Sequence, residues 1–445
     1  MQPLLTVSIP TRNRAPYLAR CLEHLLAARE WPFEFEVVVS DNASTDWTAD
    51  VVANAVTQGL PVRYLRQRED VGAEHNVASA LRAARGELCL YLGDDDRLDL
   101  ARVAEIAALF KRTPELVCAQ APWISRDDTT GADLGLYYAV ERATGFGAGQ
   151  ALGLWSFLLE RGIFPEIAIY RTRALRPVLF VPHTLHWAFL WCFRLLAQGT
   201  VAFLPTPFYI HVVRPAADLP PRTQLGVDQA GTHLDRYRGG LEWALCAALD
   251  GAGAPFSTAE RAAALERLAQ FQGERAAVAA RIARGRHDFV GALEHEGRAA
   301  FATEDRAPTA RRQAEQELIT LAAYQSVAQV ARTTAGVARL VLVGMPDGSA
   351  AAALIRKLGF DGSIEVRNTA QDARELCACE DTLALVPNDH AASSLGAVGV
   401  PADRILEWRH VFDNLRLINP IGAAVATRRA RAVAAATSAQ DARVA

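Results

Sequence analysis

The sequence predicts an α/β architecture, with a mostly parallel sheet covered by helices, then a helical region, then a small second α/β domain. Three observations predict it. Four near-continuous apolar, β-branched runs alternate with helix-period segments over the first hundred residues, which is the pattern of strands buried on both faces. Residues 227–332 are instead rich in Ala, Glu and Arg, with few β-branched residues. Apolar strand signals return from Ala338 onward. A chain of 445 residues exceeds what one core usually organises, so several domains are expected.

The first strand is Leu4 to Ile9, and behind it Leu18, Leu22, Leu25 and Leu26 recur at helical spacing after a first-turn proline, Pro16. Phe35 to Val39 is the second strand. Ser44, Thr45 and Asp46 then offer N-caps to a helix through Val51, Val52 and Val56, closed at Gly59. Val62 to Leu65 is the third strand and Gly72 to Ala84 the third helix. The fourth strand, Glu87 to Leu92, runs into Gly93 and the aspartates Asp94, Asp95 and Asp96. A helix follows from Asp99 to Lys111, with Asp99 or Asp96 as its cap. Strand-like pieces occur at Leu116 to Cys118 and Ile167 to Tyr170, with a mobile Gly-rich loop expected over Thr144 to Gly149. An apolar helix over Leu185 to Ala197 precedes a final hairpin of Val201 to Leu204 and Pro207 to His211. The small C-terminal unit reads as βαβαβ, with strands at Ala338 to Val343, Ser363 to Arg367 and Thr382 to Val386. The expected domains are therefore 1–220, 221–332 and 333–421, with a low-complexity tail over 422–445.

Composition narrows the function. The chain is 51% hydrophobic and 22% charged with a net charge of -3, a balance that gives no support to phosphate-backbone binding, which needs a basic surface, so no nucleic acid is expected. Its seven cysteines contain no Cys-x-x-Cys pair, which favours a reducing compartment. Cys377 and Cys379 alone make a poor metal site. Met1 to Leu4 lack a signal-peptide start, and the strongest apolar stretch, Trp187 to Ala197, is interrupted by Arg194 and falls short of a span. A cytoplasmic location is the expectation.

Ligands of open α/β sheets bind beyond the carboxyl ends of the strands. Those ends here carry Pro10-Thr11-Arg12-Asn13, Ser40-Asp41-Asn42, Arg66-Gln67-Arg68 and Asp94-Asp95-Asp96. Three successive aspartates repel unless something neutralises them. A hard divalent cation such as Mg²⁺ or Mn²⁺ does so through carboxylate and phosphate oxygens, and it stabilises charge on a departing diphosphate. The first turn lacks Gly-x-Gly-x-x-Gly, and no Gly-x-x-x-x-Gly-Lys-Ser/Thr loop is present.

Val7 to Arg14, Val38 to Asp46, Gly72 to Asn76, and Gly86 to Asp96 together resemble, in order and spacing, family 2 glycosyltransferases of the GT-A fold. The resemblance is strong over residues 4–112, weaker to about 214, and absent beyond. It implies a metal-dependent, inverting transfer of a sugar from a nucleotide-diphosphate donor, typically UDP-linked. Pro10, Thr11, Arg12 and Asn13 would then border the nucleobase, and Asp41 would accept a hydrogen bond from it. Arg68 and Asn76 would lie near the ribose or diphosphate. The aspartate run is similar to the family's Asp-x-Asp element, with Gly93 where members often have an aspartate. Asp95 and Asp96 are the expected metal contacts and Asp94 a donor contact. His211 matches the family's late metal-ligating histidine, and Arg214 could reach the diphosphate.

An attacking hydroxyl needs a general base. Family members place a carboxylate just before an aromatic at the helix equivalent to Leu185 to Ala197, but this chain reads His183-Thr184-Leu185-His186-Trp187. His186, whose ordinary pKa lies near neutrality, and Glu166 are the two base candidates. Trp187 and Trp191, like Phe189 and Phe193, lie four apart, which fits core packing better than an exposed sugar platform. The expected partners are the donor and an acceptor hydroxyl on a glycan, a lipid-linked molecule or a small molecule. Peripheral contact with a membrane and self-association through the C-terminal regions are further expectations. The competing classes are a non-catalytic nucleotide-sugar scaffold and a nucleotidyltransferase.

Overall fold

The computed structural model describes residues 2–181, 187–220, 234, 240–246, 257–302, 308–345 and 347–418. Its first compact unit comprises Met1–Thr223 with Asp235–Phe271, and its second Gln224–Leu234 with Gln272–Ala445.

The first unit is built on a sheet in which β1 (Leu5–Thr11), β2 (Phe35–Asp41), β3 (Val62–Arg66) and β4 (Leu88–Tyr91) run parallel in the order β3-β2-β1-β4. α1 (Ala15–Leu26), α2 (Thr48–Thr57) and α3 (Ala73–Arg82) make the crossovers. Leu5, Val7 and Ile9 together with Val37 and Val39 are wholly buried, as strands covered on both faces should be. After β4 come the two-residue β5 (Arg97–Leu98) and α4 (Leu100–Arg112). The Asp99 side chain caps α4 by accepting from the Arg102 N–H.

The next strands are β6 (Leu116–Gln120), β7 (Trp123–Asp127), β8 (Ala132–Leu136) and β9 (Thr144–Phe146), followed by α5 (Ala151–Glu160) and β10 (Ala168–Arg171). The short α6 (Thr172–Leu175) precedes α7 (Trp187–Leu195), β11 (Thr200–Phe203) and β12 (Tyr209–Arg214). β10 enters the main sheet antiparallel to both β4 and β6, with β11 and β9 beyond, which completes the order β3-β2-β1-β4-β10-β6-β11-β9. A second sheet has the order β5-β12-β7-β8.

Two local expectations are corrected. The Gly-rich stretch at Thr144 is not a free loop, because β9 pairs antiparallel with β11. A Cβ on Gly145 would stand 3.2 Å from Thr200, so the glycine permits a close strand approach. The expected hairpin is absent, since β11 belongs to the main sheet and β12 to the second. Pro205 and Pro207 between them keep the chain extended and remove turn donors.

In the second unit, β13 (Arg339–Val343), β14 (Ser363–Arg367), β15 (Thr382–Val386) and β16 (Ile405–Glu407) form a parallel sheet in the order β14-β13-β15-β16. Its strands thus number one more than the sequence suggests. α8 (Thr258–Gly285), α9 (Phe289–Ala302) and α10 (Pro308–Thr333) precede it. α11 (Gly348–Lys357), α12 (Ala370–Cys377), α13 (Asp389–Ala397) and α14 (Trp408–Ile418) alternate with and follow its strands. Leu340, Leu342, Leu383 and Leu385 share one core with Leu318, Ala322 and Val327 of α10, while Val341, Val343, Ala384 and Val386 pack with Ala373 of α12 and Leu395 of α13. That period of two puts helices on both faces. The helical region is consequently divided: Leu241, Leu268 and Phe271 join the core of the first unit, and the later helices join the small sheet. The expected tail over 422–445 lies outside the described residues. Among those described, no helix is long and apolar enough to cross a membrane.

Candidate active site

The parallel strands β1, β2, β3 and β4 end on one edge, where their loops lock together. Asn13 sits at a φ of 50°, a left-handed conformation that Asn tolerates better than most residues. There its backbone N–H donates to Ser44 Oγ at 2.9 Å, and its side-chain oxygen accepts from the Thr45 N–H at 2.7 Å. Ala43, on the facing loop, also has a positive φ of 57°, and such strain persists where surrounding contacts enforce it. Asp46 accepts from Ala15 N at 3.0 Å and from Thr48 Oγ1 at 2.6 Å. Burial opposes ionisation of Asp46, but these hydrogen bonds win and hold its carboxyl below the ordinary range.

Asp41 is 1% exposed. Its Oδ1 accepts from the Ser44 N–H at 2.8 Å and its Oδ2 from the Tyr64 hydroxyl, with the Arg66 guanidinium 3.8 Å away. Burial and this carboxylate push the Tyr64 phenol up. Asn76 is a buried brace: its Nδ2 donates to Ser40 O at 2.9 Å, and its Oδ1 accepts from Ser40 Oγ at 2.7 Å. Arg12 pairs with Asp70, which also accepts from Asn42 Nδ2 at 2.6 Å. Arg68 is exposed on the same loop, and Pro10 lies half-buried in β1.

The aspartates divide into two sets. Asp94 accepts from Thr11 Oγ1 at 2.7 Å and from Arg14 Nη1 at 3.0 Å, and the same Arg14 nitrogen lies 2.9 Å from Asp95 Oδ2. Burial pushes the Asp94 carboxyl up, against the pull of Arg14 and Thr11. Asp96 has its own set of partners. Its Oδ2 accepts from the Tyr209 hydroxyl at 2.7 Å, its Oδ1 from the Val212 N–H at 2.9 Å, and His211 Nδ1 lies 3.1 Å from Oδ1. Burial opposes protonation of His211, yet the Asp96 carboxylate prevails and raises its pKa. A Cβ at Gly93 would lie 2.8 Å from Asp96 Oδ2 and 3.2 Å from Asp95 Oδ1, so any side chain there would require those carboxylates to shift.

The reversal of β10 brings in a residue from far along the chain. β10 is antiparallel to β4 with Ile169 opposite Leu90, so it begins at the edge where β4 ends. Glu166, just before β10, therefore stands beside the acidic run, and its charge reaches His211 and Tyr91. His186 lies outside the described residues. Arg214 pairs with the buried Asp127 at 2.9 Å. Trp187, Phe189, Trp191 and Phe193 are all buried, with Trp187 and Trp191 ring centroids 4.4 Å apart. They are core.

Sequence reasoning singled out neither Arg14 nor Tyr209 as functional. Arg14 is the last residue of the Val7 to Arg14 block that resembles the family, and its charge was the available signal. Tyr209 lies two residues before His211 on one face of β12. The nearest approach to a protein-only metal cluster among the described residues is Asp389, Glu407 and His410 in the second unit, with donor atoms within 4.8 Å of one another. Asp95, Asp96 and His211 do not close to that degree. They offer carboxylate and imidazole donors, a set that suits a hard cation whose remaining ligands are phosphate oxygens.

A model of glycosyl transferase family 2 matches residues 6–176. A glycosyltransferase of PGL/p-HBAD biosynthesis from Mycobacterium bovis is 30% identical over 218 residues, covering 47% of this chain and 75% of the relative. Abequosyltransferase RfbV of Salmonella typhimurium is 31% identical over 96 residues, which is 21% of this chain and 29% of that protein. Validoxylamine A glucosyltransferase of Streptomyces hygroscopicus subsp. limoneus is 49% identical over 78 residues, 18% of this chain and 16% of that protein. Among solved structures, TarS of S. aureus in complex with UDP-GlcNAc aligns at 19% identity and a TM-score of 0.45, covering 73% of this chain and 85% of that one.

Proposed function

This chain belongs to glycosyl transferase family 2 and is a glycosyltransferase using a nucleotide-activated sugar, and on that premise we propose that it is a metal-dependent, inverting enzyme with a UDP-linked donor. The observation that carries the reading is the single edge on which Thr11, Asp41 and the aspartate run meet Glu166 from the reversed strand. The nucleobase lies over the ends of β1 and β2, bordered by Pro10, Thr11, Arg12 and Asn13, and exchanges for the Tyr64 hydroxyl on Asp41. Arg68 and the Asn76-braced loop lie toward the ribose and diphosphate.

Asp95, Asp96 and His211 would hold a divalent cation together with diphosphate oxygens, and the cation would stabilise charge on the leaving group. Arg14 supplies fixed positive charge beside Asp94 and Asp95. Glu166 takes the acceptor hydroxyl proton as the oxygen bonds to the anomeric carbon, and the sugar–phosphate C–O bond breaks with its electron pair leaving on UDP. His186 is the second base candidate. The acceptor group is a hydroxyl, the nucleophile whose proton the base removes.

Calorimetric titration with UDP and Mn²⁺ tests the donor reading, and absence of binding at millimolar UDP would overturn it. Asp95→Ala is expected to stay folded and lose metal-dependent donor hydrolysis. Wild-type turnover that persists in chelator would refute the metal role. Tight UDP binding without turnover over a broad acceptor panel would favour a non-catalytic scaffold.

A further inference from the structure

We propose that Tyr137, stacked on Trp123, forms an acceptor subsite on which a pyranose ring lies with its reacting hydroxyl toward Glu166. The proposal rests on the glycosyltransferase reading above and adds the class of acceptor group. Trp123 in β7 pairs directly with Tyr209 in β12, and Ser125 with His211. Registered neighbours in a sheet point to the same face. Trp123 therefore stands on the face whose Tyr209 and His211 grip Asp96.

Tyr137 continues from β8, and its N–H donates to Trp123 O at 3.1 Å. Its ring lies over the indole with centroids 4.4 Å apart and planes 14° apart. Tyr138 meets Trp123 edge-on at 5.5 Å, which fixes the indole from another side. Trp123 and Tyr138 are buried at 8% and 6% exposure, whereas Tyr137 keeps 43%. The Phe164 ring meets Tyr137 at 6.4 Å, only two residues before Glu166. Two strand spacings, roughly 10 Å, separate the Tyr209 strand from that of Tyr137. One rigid row thus runs from the Asp96 carboxylate to a half-exposed aromatic ring.

Donor and acceptor must approach the anomeric carbon from different sides. The β1, β2 and β3 loops, with their Arg, Asp and Asn side chains, suit a nucleotide on one flank of β4. The second sheet reaches the end of β4 through Tyr209, whose hydroxyl accepts from the Gly93 N–H at 2.9 Å, and it presents an aromatic ring. A pyranose has C–H groups on its faces that are attracted to the negative face of an aromatic ring. The charged diphosphate of a donor would gain little from that apolar surface.

The test uses the full chain loaded with UDP and Mn²⁺, with methyl α-D-glucopyranoside, methyl α-D-mannopyranoside and methyl α-L-rhamnopyranoside as probes in saturation-transfer NMR. At least one glycoside should receive saturation from the wild type. Tyr137→Ala should weaken its binding about tenfold, and Tyr137→Phe should stay within about twofold because the ring, not the hydroxyl, makes the contact. If the alanine variant misfolds by circular dichroism, Tyr137→Leu carries the same expectation. UDP affinity, measured calorimetrically, should be unchanged throughout. Three results would overturn the subsite: no glycoside contacting the wild type, unaltered binding in the truncated variant, or an equal loss in Tyr137→Phe. Failure of the wild type to bind UDP would instead reject the donor reading.

Discussion

Arg14 changes how the three aspartates are understood. Like charges so close need a counter-charge, and the sequence argument assigned that role to a divalent cation. In the structure Arg14 spans Asp94 and Asp95, while Tyr209, His211 and the Val212 N–H hold Asp96. Removing one partner from a buried pair leaves an uncompensated charge. Arg14→Ala is therefore expected to destabilise the metal-free protein by at most about 3 kcal/mol, because the Arg14 side chain is itself 26% exposed. Mn²⁺ should raise the Tm of this variant more than that of the wild type. Equal shifts in the two proteins would show that Arg14 and the cation do not share the load. Gly93 belongs to the same scale. A Cβ at this position would press on the Asp96 and Asp95 carboxylates.

Among the elements, β10 does most to shape the active edge. Parallel strands deliver only their own carboxyl ends to the ligand edge, whereas an antiparallel strand delivers the residues before its start. Glu166 reaches the edge in that way. If it is the base, Glu166→Gln should lower kcat by about 10²–10⁴-fold with UDP affinity retained, as read by steady-state kinetics and calorimetry. A full-rate Gln variant would transfer the role to His186. The alternating strands and helices through α4 were legible because each reports its own period. β9 and the split of β11 from β12 were not, since pairing partners lie far along the chain. Gly145 looked like loop chemistry until its approach to Thr200 was visible.

At the level of the whole molecule, the chain divides into two compact units, and the proposed donor site lies wholly in the first. A ligand that binds only the native form stabilises it by mass action. UDP with Mn²⁺ at a hundredfold over Kd should add about 2.7 kcal/mol to the unfolding free energy of that unit. Calorimetry should show the gain as an upward shift of the transition that contains the first unit, and no shift at saturating ligand would contradict a donor site there. The family, the parallel core and the four polar strand ends were determined by the sequence alone, because hydrophobic period and motif spacing are local properties of the chain. The tertiary structure alone decided which groups hydrogen-bond each aspartate, how Glu166 comes beside them, and that Tyr137 is part-exposed while Trp187 is buried. Those outcomes depend on strand direction, register and burial between residues distant in the chain, and local periodicity carries no record of them.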